Sequence, residues 1–284
     1  MSIAPFSKWR LIQSPPARGS WNMAIDEAIL EEIASGGNPP TLRLYGWDPA
    51  CLSLGYAQSW RDINFRKLGD FGWNIVRRPT GGRAILHKDE LTYAVIAPAS
   101  EPRLQGSVIE SYKYLSKALL QALGQLGASA QAAVFNKIAN DQRTHNPVCF
   151  EVPSNYEITV KGKKLIGSAQ ARRREGILQH GSLPLFGDIT DILNVLSFSN
   201  SEEKSEASLR LSKRATSLES VLRRKVTWEQ AAHEFIIAFQ DVLNLELEAG
   251  ELSISEKNEP PSLKMINTEV LIGPAEFNFL VLDQ

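Results

Sequence analysis

The sequence contains only two cysteines, Cys51 and Cys149, in 284 residues. Two thiols exclude a multi-bridge disulfide framework, and a reducing compartment is the simpler reading. Neither sign of charge is in excess: 31 Lys and Arg stand against 32 Asp and Glu, a formal net charge of -1. That balance excludes a nucleic-acid binder working through global basicity, though not a local basic patch. No stretch approaches the ~20 apolar residues needed to cross a bilayer. Met1 to Leu11 also lacks the apolar centre of a secretory signal. A cytoplasmic protein with no nucleic-acid or membrane partner is expected. Walker and dinucleotide glycine spacings are missing, as is any internal repeat.

What is present is an ordinary globular composition, 43% hydrophobic and 22% charged. The chain is long enough to bury a sizeable core without staples. Apolar spacing predicts helices over Asn22–Ile33, with Ser20 as cap, over Val108–Leu126, and over Thr227–Leu243, with Thr227 as cap. Shorter helices are expected at Asn64–Leu68 and Asp188–Leu196. Strands are expected at Trp9–Ile12, Thr41–Tyr45, Cys51–Leu54, Asn74–Arg77, Glu90–Ala97, Tyr156–Val160, Lys164–Ile166 and Ile177–Leu185. Gly162 marks a hairpin turn, and the polar stretch Asn200–Glu206 reads as a mobile loop. Strands and helices interleave without a βαβ rhythm. This points to an α+β fold with helices packed on a largely antiparallel or mixed sheet. The composition shifts after Gly250, so residues 1–250 form the expected catalytic domain and residues 251–284 a short C-terminal extension.

Three segments carry chemistry. In Arg77-Arg78-Pro79-Thr80-Gly81-Gly82-Arg83-Ala84-Ile85-Leu86-His87, adjacent glycines let backbone pass close to a ligand, and three arginines can pair with acidic groups. A hairpin turn flanked by solvated charges fits equally well. In Lys164-Leu165-Ile166-Gly167-Ser168-Ala169-Gln170, the lysine opens an apolar strand, and small residues leave room for a chain-like substrate. Most lysines are merely solvated, and spacing alone does not lift Lys164 out of that class. Cys149 lies between Pro147 and Pro153, so a loop is expected. A buried small hydrophobe is the commoner role of a lone cysteine, and Cys51, between Ala50 and Leu52, fits it. A lysine ammonium close to Cys149 would favour its thiolate. Lys161, Lys163 and Arg172 to Arg174 form a basic cluster that suits either acidic partners or a charge-protected sheet edge.

Taken in order, these segments resemble the biotin/lipoate ligase and octanoyltransferase superfamily over most of the chain, from about Trp9 to near Leu245. Arg77 to Ala84 with His87 resembles its Arg-Arg-x-Ser/Thr-Gly-Gly-x-Ala-x-x-His signature. Lys164-x-x-Gly167-Ser168-Ala169-Gln170 resembles its lysine motif, and Gln179-His180-Gly181-Ser182-Leu183 the strand that follows. Cys149-Phe150, fifteen residues before the lysine, is similar to the cysteine-dependent transferases of the group. The tail after Gly250 is too short for the accessory domain of many ligases.

The resemblance implies a biotin/lipoate ligase-like catalytic domain and octanoyl transfer in lipoate biosynthesis. The implied donor is octanoyl-acyl carrier protein, and the implied acceptor a lysine of a lipoyl domain or of the glycine-cleavage H protein. Cys149 and Lys164 would be catalytic. Arg78, Gly81, Gly82, Arg83, His87, Gly167, Ser168 and Ala169 would bind substrate. No cofactor or metal is implied. An ATP-dependent lipoate–protein ligase and an octanoyl amidotransferase between lipoyl domains are the alternatives. A catalytically dead module that holds lipoyl domains is a third. Asn155, after Ser154, and the tail from Leu252 to Gln284 depart from the pattern.

Overall fold

The computed structural model describes residues 4–134, 156–174 and 176–258. The elements run β1 (Ser7–Gln13), α1 (Gly19–Ala34), β2 (Thr41–Tyr45), β3 (Cys51–Leu54), α2 (Phe65–Asp70), β4 (Asn74–Arg77), β5 (Ile85–His87), β6 (Glu90–Ala97), α3 (Val108–Gln125) and β7 (Gln131–Val134). They continue with β8 (Tyr156–Val160), β9 (Lys163–Arg172), β10 (Ile177–Pro184), α4 (Ser201–Arg214), α5 (Leu218–Leu222), α6 (Trp228–Leu243), β11 (Leu245–Ala249) and α7 (Ile254–Asn258). Among the described residues, eight strands form one sheet in the order β11-β1-β2-β6-β10-β9-β8-β7, and three form a second in the order β4-β3-β5. The β11–β1, β1–β2 and β3–β4 pairs are parallel and the others antiparallel. This is the α+β, mixed-sheet architecture expected.

Period-two alternation sorts β6 between two layers. Leu91, Tyr93, Val95 and Ala97 pack with Leu115, Leu119 and Leu123 of α3 and Phe235 and Phe239 of α6. Ala94 and Ile96 pack with Ile25, Ile29 and Ile33 of α1 on the opposite face. The small sheet forms its own core with α2, α4 and the 3-10 turns at Ile189–Val195. The cavity described below lies between the two sheets, beside α1.

Capping explains the long helices. Ser107 and Glu110 close a capping box on α3, and Thr227 and Gln230 close one on α6. The hairpin expected at Gly162 is present, with Lys161 and Gly162 both left-handed at φ 50 and 77. Two local expectations fail. Ser20 does not cap α1; Arg18 takes that position without a side-chain capping bond, and Ser20 lies inside the first turn. Asn200–Glu206 is no loop but the start of a 14-residue helix. Asn200 caps it by accepting from the Glu203 N–H, and its acidic first turn and basic last turn suit the helix dipole. Its buried face is only Ala207 and Leu211, too little for apolar periodicity to register.

The segment after Gly250 is tied back to the body. Arg10 forms a buried bidentate pair with Glu256 at 2.9 and 2.6 Å, and Asn38 donates to the same carboxylate. No helix among the described residues is long and apolar enough to cross a membrane.

Candidate functional site

The Gly-Gly segment leaves β4 as a loop held from behind. Arg78, buried, donates through Nη1 to the Ser53 carbonyl and Oγ at 3.0 Å each. Its Nη2 donates to the Gly81 and Arg83 carbonyls at 2.8 Å each. Arg77 donates to the carbonyls of Gly55, Tyr56 and Gln58 in the facing turn. Gly82 adopts φ 98, a left-handed backbone that a side chain would strain. These two arginines therefore shape the loop.

Two carboxylate–histidine–hydroxyl chains stand behind it. Glu90 Oε1 lies 2.8 Å from His87 Nδ1, and His87 Nε2 lies 2.7 Å from Ser53 Oγ. Ser53 Oγ also accepts from Arg78, and the tautomer that satisfies every group has the Nδ1–H donating to Glu90 and Nε2 accepting from the Ser53 hydroxyl. Thr92 and Ser182 also donate to Glu90, and the Trp47 ring stacks on His87 with centroids 4.0 Å apart. In the second chain, Thr80 Oγ1 lies 2.6 Å from His180 Nε2, while His180 Nδ1 faces Asp26 Oδ2 at 3.8 Å. Asp26 accepts from Arg43 at 2.7 Å and from the Tyr45 hydroxyl at 2.9 Å. Burial pushes the Asp26 carboxyl up, but Arg43 and His180 outweigh it and hold it below its ordinary value. Burial, with Arg78 and His87 nearby, pushes the His180 imidazole below its ordinary value, against the pull of Asp26.

The opposite wall is β9. Lys164 is 3% exposed, and its ammonium donates to Glu157 of β8 at 2.8 Å. Further along, Tyr93 and Ser168 share a hydrogen bond of 2.8 Å, and Gln179 donates to the Tyr93 hydroxyl.

These walls enclose a cavity of about 250 Å³. Of the residues singled out in the sequence, Arg78, Gly81, Gly82, His87, Lys164, Gly167, Ser168 and Ala169 line it together. Arg83 lies in an adjoining groove instead. Cys149 lies outside the described residues. The basic cluster is not one patch: Lys163 and Arg172 end opposite sides of a ten-residue strand, ~30 Å apart at the usual rise per residue. Lys163 donates to the Ser212 carbonyl, Arg172 to the carbonyls of Leu104 and Gly106, and Arg173 to Glu27.

Met23, Tyr45, Trp47 and His180 also line the cavity and had not been picked out for it, nor had Asp26 and Glu157 behind it. Asp26 did leave a signal. It falls three residues from both Met23 and Ile29, on the apolar stripe of its helix, where a carboxylate must have a partner. Glu157 left none.

Residues 18–240 match the family model described as the lipoyl protein ligase A/B catalytic domain. An octanoyltransferase LipM of Kyrpidia tusciae is 40% identical to this chain, covering 90% of it and 94% of the relative. The octanoyltransferase LipM of Bacillus subtilis is 37% identical, covering 87% and 91%. Among solved structures, the bi-partite lipoate protein ligase of Thermoplasma acidophilum superposes with a TM-score of 0.74. Its identity is 19%, and the match covers 89% of this chain and 91% of that one, a likeness of fold.

Proposed function

The chain belongs to the lipoyl protein ligase A/B catalytic-domain family and is an acyltransferase; from that premise we propose that it carries an octanoyl group from the thioester of acyl carrier protein to a lysine of a lipoyl-accepting protein. The glycine-cleavage H protein or a lipoyl domain is the acceptor, and the reaction serves lipoate biosynthesis in the cytoplasm. The observation that carries this reading is the likeness, at 40% identity over 94% of its length, to a protein named as an octanoyltransferase. The cavity agrees with it: a buried ammonium stands at one end of a space bounded by small residues.

In the proposed reaction the Cys149 thiolate attacks the thioester carbonyl. Lys164 stabilises first the thiolate and then the oxyanion of the tetrahedral intermediate. Collapse expels the carrier thiol and leaves an octanoyl-Cys149 thioester. The acceptor amine attacks this in turn, forming the amide and restoring the thiol. Gly81, Gly82, Gly167, Ser168 and Ala169 border the acyl chain, and His87 and Arg78 hold the walls in shape. The thioester is already activated, so neither nucleotide nor metal enters.

Mass spectrometry after incubation with octanoyl-acyl carrier protein tests this. The expected result is an octanoyl adduct on Cys149, absent in Cys149→Ser. ATP/pyrophosphate exchange with free octanoate or lipoate that survives Cys149→Ser would instead establish the ligase. Faster adduct formation from an octanoylated lipoyl domain than from the carrier would establish the amidotransferase.

A further inference from the structure

The cavity has a direction. It reaches from Met23, Tyr45 and Trp47, beside α1 and β2, to Lys164 and Gly167–Gln170 on β9. The strands crossed are β2, β6, β10 and β9, which neighbour one another in that order. Three inter-strand steps make ~14 Å across the sheet, and Lys164 to Gln170 make ~20 Å along β9, a slot with room for an unbranched acyl chain. Its apolar end is the Met23, Tyr45 and Trp47 side, so the acyl carbonyl belongs at the Lys164 side.

A second depression begins where this slot meets the surface. It is about 780 Å³ in volume and shares Gly81, Gly82 and Gln170 with the cavity. Its lining includes Tyr56, Asp62, Pro79 and the three arginines Arg83, Arg172 and Arg173. The arginines around it differ in commitment. Arg77 and Arg78 are tied to loop carbonyls, Arg172 to the carbonyls before α3, and Arg173 to Glu27. The half-buried Arg83 side chain makes no hydrogen bond or ion pair among the described residues. A partly desolvated guanidinium without a carboxylate is a costly group unless an anion reaches it, and its planar fork matches phosphate oxygens.

We infer that this groove seats the thioester arm of the acyl donor, and that Arg83 binds a phosphate on that arm. The inference rests on the transferase reading, in which the acyl group arrives on the prosthetic arm of a carrier protein, joined to it through a phosphodiester. The acyl chain lies across the strands and the arm leaves over the β9 end. The phosphate then falls on the single-residue extension of the Gly-Gly loop, Arg83.

The test compares two small donors that differ only in the phosphate, octanoyl-phosphopantetheine and octanoyl-pantetheine, in single-turnover acylation of the full-length protein. Wild type is expected to prefer the phosphorylated donor in kcat/KM by about tenfold, the usual worth of one charged hydrogen-bonded contact. In Arg83→Ala that preference falls to about one, and in Arg83→Lys part of it returns. The readout is a ratio within each protein, so a general loss of activity or folding does not move it. A preference unchanged in Arg83→Ala, or none in wild type, overturns the inference while leaving the transferase reading intact. Acylation by neither donor, with octanoyl-adenylate accepted in their place, overturns both. A discrimination lost only against octanoyl-adenylate assigns Arg83 to a nucleotide phosphate and overturns the thioester arm.

Discussion

On the β9 wall of the cavity, Lys164 presents an ammonium held by Glu157 at 2.8 Å. On the facing wall, His87 has both ring nitrogens within 2.8 Å of protein partners, and His180 holds Thr80 at 2.6 Å. Both walls are buried and rich in titratable groups, yet they do different things. An ammonium has three N–H donors, so it can stabilise a thiolate or an oxyanion without giving up its bond to Glu157. An imidazole whose ring nitrogens both face protein partners has no free position for a substrate proton until one of those contacts breaks. The lysine wall is thus suited to chemistry and the histidine wall to shape.

Lys164→Ala tests that division most severely. Octanoyl transfer should fall by ~10²–10³, the cost of removing one oxyanion-stabilising donor, with Lys164→Arg recovering part. Single-turnover acylation with the octanoyl carrier measures it. Full activity in Lys164→Ala would hand the chemistry to the histidine wall and undo the comparison.

Asp26→Asn should act on the other quantity, stability. It leaves the fully buried Arg43 without its carboxylate, a loss of roughly 3–5 kcal/mol. For a domain of this size that lowers Tm by roughly 10 °C, while the rate per folded molecule stays near wild type. A rate loss as large as that of Lys164→Ala, with Tm unchanged, would make Asp26 part of the chemistry.

His180 sharpens the same point through pH. Its folded value lies below the ordinary 6.5 because burial disfavours the imidazolium. Between those two values the unfolded chain binds more protons than the folded one, so stability falls as pH drops below 6.5. The slope contributed is up to ~1.4 kcal/mol per pH unit. Asp26 behaves similarly lower down: with its folded value depressed, its contribution is present above 3.8 and lost below it. Denaturant midpoints between pH 7 and pH 5 should therefore decline in wild type and flatten in His180→Gln. An identical decline in both would remove His180 as the cause.

How far each wall was legible in the sequence follows from how local its contacts are. The Gly-Gly loop and its arginines form one contiguous motif, so Arg78, Gly81, Gly82 and His87 could be marked from it, although Arg77 and Arg78 also bond back to Ser53, Gly55, Tyr56 and Gln58, which the motif did not announce. Lys164 with Gly167 to Ala169 occupies one strand and was visible for the same reason. Glu157 was not. It precedes Lys164 by seven residues across a hairpin whose pairing slips between Ile158 and Thr159, and such an irregularity re-aims a side chain in a way no residue pattern records. The second histidine chain joins α1, the Gly-Gly loop and β10, so Asp26, Thr80 and His180 meet only through the sheet order. The β11–β1 pairing spans almost the whole chain, and the Leu-Glu-Leu-Glu-Ala alternation of β11 follows the helix before it after the single residue Asn244, so its five residues did not separate from the helix end.

Thr80→Val gives the smallest effect and the finest discrimination. Valine keeps the branched shape of a fully buried residue but loses the hydroxyl that reaches His180 at 2.6 Å. The hydrogen bond is worth ~1 kcal/mol, and its loss loosens the anchor of the adjacent Gly81–Gly82 backbone at the cavity mouth. If the histidine wall only shapes the loop, KM for the octanoyl donor rises about fivefold, the equivalent of that energy, and kcat is preserved. If Thr80 and His180 instead relay the proton released by the acceptor amine, kcat falls while KM holds. The second pattern, read in steady state with a saturating acceptor, would mean that both walls do chemistry and that the satisfied bonds of the histidine wall are a resting arrangement.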